Sequence, residues 1–129
     1  MTARSVVLVV EDEDGDFHLI ARWLRDTPFT LDRVVRFADA LRRIERHAYD
    51  LVLLDLHLPD TDGSLDPLRI LARQIEPILV TSGYVVVNQV EAIMAGADDV
   101  CSKDGGAEAF QRAFHGAIAR NRRLRDGPR

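Results

Sequence analysis

The sequence predicts an α/β fold, a doubly wound five-stranded parallel sheet in the order 2-1-3-4-5 with five helices on its two faces. Three observations predict it. Five short apolar or β-branched runs alternate with five segments of helical periodicity at spacings of about 20 to 25 residues, the rhythm of consecutive βα units. Several of the runs are continuously apolar, which requires cover on both faces and so a parallel sheet between helix layers. The 129 residues are enough for one domain with a real core and too few for two.

The first strand is Ser5 to Val10, a wholly apolar run that ends abruptly in EDEDGD. Phe17 to Arg25 follows as a helix, with Phe17, Ile20, Ala21 and Leu24 at helical spacing and Thr27-Pro28 as its stop. The second strand is expected over Asp32 to Phe37. The second helix is expected over Asp39 to His47, with Ala40, Leu41 and Ile44 on one face and charged residues on the others. Leu51 to Leu54 is the third strand. After LHLPDTDG come a helix from about 65 to 74, the strand ILVT behind Pro77, a helix from about 85 to 94, the strand DVCS and a last helix from about 107 to 124. The expectation is a single domain over 1–129, its core spanning about 5–124, with a basic tail over 120–129 and no room for an output domain after Arg125. Phe17 and Trp23 read as packing of the first helix, and Phe110 and Phe114 as core contacts of the last.

Composition narrows the function. Hydrophobic residues make up 47% and charged residues 29%, a globular balance without an apolar run long enough to span a membrane. Cys101, the only cysteine, permits no internal disulfide and reads as a buried small apolar residue. With no secretory pattern at the start, the cytoplasm is the expected compartment. Residues 111–129 hold six arginines, from Arg112 to Arg129, against Asp126, in a chain whose net charge is -4. Arginines suit the negative pole of a helix dipole and no aromatic residue is interleaved to stack on bases, so no nucleic-acid partner is expected. Of 17 basic residues 16 are arginine, which singles out Lys103.

In open sheets of this class ligands bind beyond the carboxyl ends of the strands. Those ends carry Glu11 and Asp12, backed by Glu13 and Asp14, then Asp55, then Thr81 and Ser82, then Lys103. Crowded carboxylates persist in a folded protein when a cation offsets them. An oxygen-only donor set suits octahedral Mg2+, whereas zinc calls for His or Cys at ligand spacing, and His18, His47, His57 and His115 are scattered. A hard metal beside a carboxylate, a hydroxyl and an ammonium is the equipment of phosphoryl transfer, with Asp55 as the candidate nucleophile.

Taken together, VLVVEDED, DLVLLDLHLPDTDG, PILVTSG and AGADDVCSKD resemble the receiver domains of two-component response regulators over nearly the whole chain. The resemblance implies that Glu11 and Asp12 hold Mg2+ with Asp55 and the backbone carbonyl of His57. It implies that Asp55 accepts a phosphoryl group from a sensor histidine kinase or phosphotransfer protein, that Thr81 binds a phosphoryl oxygen and that Lys103 ion-pairs with it. Pro59 and Gly63 shape the loop. The implied output is a changed surface from the fourth helix to the fifth, for a downstream partner or a homodimer. Such a domain catalyses only its own phosphorylation and dephosphorylation.

The pattern departs from the family in three places. Val100 stands where a switch Tyr or Phe is usual, leaving Tyr84 as either a substitute or a packing residue. Asp104 replaces the proline after the lysine and is placed to cap the last helix. Val85, Val86 and Val87 cannot all be buried on one helical face, which marks Val85 or Val87 as a contact residue and Ser82 and Tyr84 as neighbours of the switch. His57, two residues past Asp55, stands where access of hydrolytic water is set. That position is also where an aspartyl-phosphate phosphatase would need its second aspartate, which counts against a true hydrolase. The remaining alternative is a pseudo-receiver that binds partners without phosphate.

Overall fold

The computed structural model describes residues 5–83 and 88–126, the last four without their side chains, and Tyr84, Val85, Val86 and Val87 lie outside the described residues. Its strands are β1 (Val6–Val10), β2 (Thr30–Val34), β3 (Leu51–Asp55), β4 (Ile78–Ser82) and β5 (Asp99–Ser102). Its helices are α1 (Asp14–Trp23), α2 (Phe37–Arg46), α3 (Asp66–Ala72), α4 (Gln89–Ala95) and α5 (Gly106–Asp126), the last preceded by a 3-10 turn over Lys103–Gly105. All strand pairs are parallel and the order is β2-β1-β3-β4-β5, the fold class the apolar runs predict.

Alternation along each strand splits the core in two. Leu8, Val10, Val52, Leu54, Ile78 and Val80 pack on one face with Phe37, Ala40, Leu68, Leu71 and Ala92, residues of α2, α3 and α4. Val7, Val9, Leu51, Leu53, Leu79 and Cys101 pack on the other with Ile20, Phe110, Phe114 and Ala117, residues of α1 and α5. Each central strand is buried on both sides, which is why its sequence is continuous rather than alternating. Phe110 and Phe114, one helical turn apart, stack at 6.0 Å between ring centres, and Trp23 lies 5.0 Å from Phe110.

Several boundaries depart from the periodicity. α1 begins at Asp14 rather than Phe17, because the Glu13 carboxylate accepts from Gly15 N at 2.8 Å and caps the earlier turn. The second strand ends at Val34 and Phe37 opens α2, where the sequence put Phe37 in the strand. The cause lies far along the chain. Arg36, the α2 cap residue, supplies no side-chain bond, and Asp60 accepts from Phe37 N at 2.8 Å and Ala38 N at 3.0 Å. Those bonds satisfy orphan donors of a first helical turn that no local residue caps. α3 is shorter than expected, starting at Asp66 with Pro67 in its first turn. Asn88 caps α4 by accepting from Glu91 N at 3.1 Å, so the described part of that helix starts later than residue 85. Asp104 is not the cap expected of it: Ser102 Oγ accepts from Asp104 N at 3.2 Å, and the chain passes through the 3-10 turn before α5 begins at Gly106 with φ +85°.

Candidate functional site

Strand register assembles the site. One row of the sheet runs Val34, Val10, Leu54, Val80 and Val100, all paired by parallel neighbours. The next row toward the carboxyl ends carries Asp55 opposite Thr81 and Thr81 opposite Cys101, with Glu11 one residue past Val10. Ser82 is paired with Ser102, and Lys103 follows directly. A parallel sheet in this order thus brings residues 11, 55, 81 and 103 to one edge, although 48 positions separate Asp55 from Lys103 and 87 separate Asp16 from it.

Burial makes the grouping unusual. Glu11 is 1% exposed, Asp55 5%, Thr81 2% and Lys103 9%, on a sheet whose remaining buried positions are almost all apolar. Oxygens of Glu11, Asp12 and Asp55 lie within 4.8 Å of one another. The Lys103 ammonium sits among carboxylates, with Nζ 2.5 Å from Glu11 Oε1, 2.9 Å from Asp16 Oδ2 and 3.3 Å from Asp55 Oδ2. The other Asp55 oxygen accepts from His57 N at 2.9 Å. Burial pushes the Glu11 carboxyl up to about 7, against the lowering effect of Lys103. For Lys103 burial works downward, but hydrogen bonds to Glu11 and Asp16 outweigh it and hold the ammonium above its ordinary range.

The donor set is hard oxygen with no His or Cys among its members, which fits Mg2+ and not zinc. Arg33 fixes the backbone beside it, donating from Nε to the Glu11 carbonyl at 3.0 Å while Nη1 pairs with Asp14 at 2.8 Å. The loop after Asp55 is tied by Thr61, whose Oγ1 donates to the Leu56 carbonyl at 2.9 Å and accepts from Leu58 N at 3.0 Å. Gly63 has φ +82°, and a Cβ there would stand 2.7 Å from His57 Cε1, so the exposed imidazole lies against the glycine backbone. A concavity of about 520 Å³ lies between β2 and α2, lined by Arg33, Asp39, Arg42, Arg43, Arg46 and His47 among others, and none of Glu11, Asp12, Asp55, Thr81 or Lys103 lines it.

The structure brings Glu11, Asp12, Asp55, Thr81 and Lys103 to one edge, as the strand-end reading requires. Val100 is half-buried beside Val80 and packs on the α2, α3 and α4 side of the core. Cys101 is buried, and burial raises its thiol pKa, consistent with an inert apolar role. Tyr84, Val85 and Val87 lie outside the described residues. Sequence reasoning missed Asp16, Arg33 and Asp60. A helix start at Asp14 rather than Phe17 puts Asp16 in the first turn of α1, next to the end of the first strand. Nothing local marks Arg33 or Asp60, whose partners are 22 and 23 residues away.

Among the described residues no helix is long and apolar enough to cross a membrane. The chain is 33% identical to the transcriptional regulatory protein KdpE of Mycobacterium tuberculosis over 119 residues, 91% of this chain and 52% of that one. It therefore spans about half the length of that curated relative. The relative's name concerns transcription, so it lends no support to the expectation that nucleic acid is excluded. Among solved structures, a signal receiver domain from Vibrio parahaemolyticus superposes with a TM-score of 0.84 at 28% identity, covering 96% of each chain. The BeF3-activated N-terminal receiver domain of RstA from Klebsiella pneumoniae gives a TM-score of 0.79 at 27% identity, covering 88% of this chain and 98% of that one. A family model for the response regulator receiver domain matches residues 7–115. With its sheet order, its edge of buried acids and its lysine already accounted for, the chain belongs to the response regulator receiver domains of two-component signalling.

Proposed function

We propose that this receiver is a phosphorylatable switch in which Asp55 takes a phosphoryl group from the phosphohistidine of a sensor histidine kinase or phosphotransfer protein. An Asp55 carboxylate oxygen forms the new O–P bond as the P–N bond to the donor imidazole breaks. The observation that carries this reading is the buried Asp55 carboxylate, held by His57 N at 2.9 Å and Lys103 at 3.3 Å and level with Thr81 on the adjacent strand. Glu11, Asp12 and Asp55 are the side chains that would hold Mg2+, with the His57 carbonyl as a further ligand. When bound, the ion neutralises oxygens that gain charge in the transfer.

Lys103 pairs with one phosphoryl oxygen and the Thr81 hydroxyl donates to another. The negative charge at Asp55 draws both inward, and the residues after β4, including Ser82, follow Thr81. Val100 on β5 takes the place of an aromatic switch residue, so the change is carried by packing against Val80 rather than by a swinging ring. The altered surface from α4 to α5 meets a downstream partner or a second copy, in the cytoplasm. Apart from its own phosphorylation and dephosphorylation the domain catalyses nothing.

The test is the intact mass after incubation with acetyl phosphate, with and without Mg2+, for the wild type and Asp55→Asn. A Mg2+-dependent gain of one hydroxylamine-labile phosphoryl group, absent in the variant, is the expected result. No gain in the wild type overturns the reading in favour of a partner-binding domain that does not use phosphate.

A further inference from the structure

Lys103 is the chain's only lysine, and its ammonium has three N–H donors. Three carboxylates occupy its neighbourhood: Glu11 at 2.5 Å, Asp16 at 2.9 Å and Asp55 at 3.3 Å. Two of the donors bond to Asp16 and Asp55, and Glu11 adds a close ion pair, so a phosphoryl oxygen would meet an ammonium whose charge is already shared. Two of the three carboxylates are removed by the proposed chemistry itself. Glu11 belongs to the cluster of metal-binding oxygens, and Asp55 becomes the phosphoryl carrier. Asp16 does neither. It lies outside that cluster, on the first turn of α1, where the helix N-terminus favours a carboxylate, and its side chain is 35% exposed.

We propose that Asp16 is a positioning residue that tethers Lys103 and competes with a phosphoryl group at Asp55 for its ammonium. The inference rests on the phosphorylation reading above. Asp16 keeps the ammonium beside the site in the resting state, because it remains bound when the other two carboxylates are engaged. It also resists the switched state, since its charge is shared with the same cation that must meet the phosphoryl group. The tether thus sets how far the equilibrium moves on phosphorylation, and it does so from α1, an element distinct from β4 and β5.

Asp16→Asn keeps an acceptor oxygen of nearly the same shape and removes the charge. Asp14→Asn is the matched control, changing the charge on the same helical turn at a residue paired with Arg33 and not with Lys103. Lysine-selective 13C labelling gives a single lysine side-chain signal, that of Lys103. Without metal, Asp16→Asn should move that signal and Asp14→Asn should leave it in place. With Mg2+ at saturation and beryllofluoride as the phosphoryl mimic, titrations followed by the same signal should give half-saturation about three- to fivefold lower in Asp16→Asn than in Asp14→Asn. That is the scale of a partly exposed ion pair. Asp16→Ser, which also removes the charge, should change in the same direction, and thermal melts confirm folding of all three.

Equal half-saturation in Asp16→Asn and Asp14→Asn, or weaker mimic binding in Asp16→Asn, overturns the tether while leaving the phosphorylation reading intact. A wild type that takes up neither beryllofluoride nor an acetyl phosphate phosphoryl group overturns the phosphorylation reading, and the tether with it.

Discussion

Replacing Asp60 by alanine removes the two bonds that hold the first turn of α2, and nothing local substitutes for them because Arg36 supplies no side-chain cap. Loss of an ordinary N-cap costs about 0.5–2 kcal/mol. Asp60 supplies two bonds and a charge at the helix N-terminus, yet it is exposed and water can re-solvate the freed amides, so we place the loss at about 1.5 kcal/mol. At about 3–5 °C per kcal/mol for a domain of this size, Tm should fall by about 5–7 °C. Urea denaturation followed by far-UV circular dichroism measures the free energy directly. Asp60→Asn retains one acceptor and should recover about half of the loss. The sign of the pH dependence follows from the carboxyl, which burial would raise but the Ala38 and Phe37 amides hold below the usual range. Its contribution is present above the ordinary carboxylate pKa and is lost as pH falls through the lowered folded value, so wild type and Asp60→Ala should converge below about pH 4. A loss no larger than the about 0.5 kcal/mol scatter of surface substitutions would refute the capping argument.

Other predictions follow from the same geometry. Tyr49 donates to Asp32 at 2.5 Å, and burial together with that bond pushes the phenol up to about 12. Its contribution is therefore complete below the unfolded phenol pKa of about 10 and is lost as pH rises through the folded value. Tyr49→Phe should cost about 1 kcal/mol at neutral pH and progressively less in the alkaline limb, as read by chemical denaturation across that range. A pH-independent difference would show that packing and not the hydroxyl is responsible. Gly63→Ala places a methyl group against the His57 imidazole at a positive φ, and should lose about 1–2 kcal/mol for the backbone alone. In a double-mutant cycle with His57→Ala the steric part should be relieved and the backbone part should remain, whereas strict additivity would argue against the contact.

The sequence carried the architecture because the physical signals are local. A strand buried on both faces must be continuously apolar, and Val6–Val10 and Leu51–Asp55 are found where that pattern begins and stops. The candidate site was legible for a related reason: Glu11, Asp12, Asp55, Thr81 and Lys103 interrupt apolar runs at their ends, where a parallel sheet gathers its ligand-binding groups. Boundaries were less legible where a cap arrives from elsewhere. Phe37 reads as the end of a strand until Asp60, 23 residues on, fixes its amide in a helical turn.

What the sequence by itself determined about this protein is the alternation of strands and helices, the strand ends that carry acids, a hydroxyl and an ammonium, and the family motifs that join them. Only the tertiary structure decided which of many acidic side chains meets Lys103. Glu13 caps α1 and Asp14 turns to Arg33, while Asp16, which no strand-end pattern marks, lies 2.9 Å from the ammonium. The physical reason is range. Apolar burial imposes a period that is written along the chain, whereas a charge chooses its partner by distance in space, and that distance exists only after β1, β3 and β5 have been laid side by side with α1 across their ends.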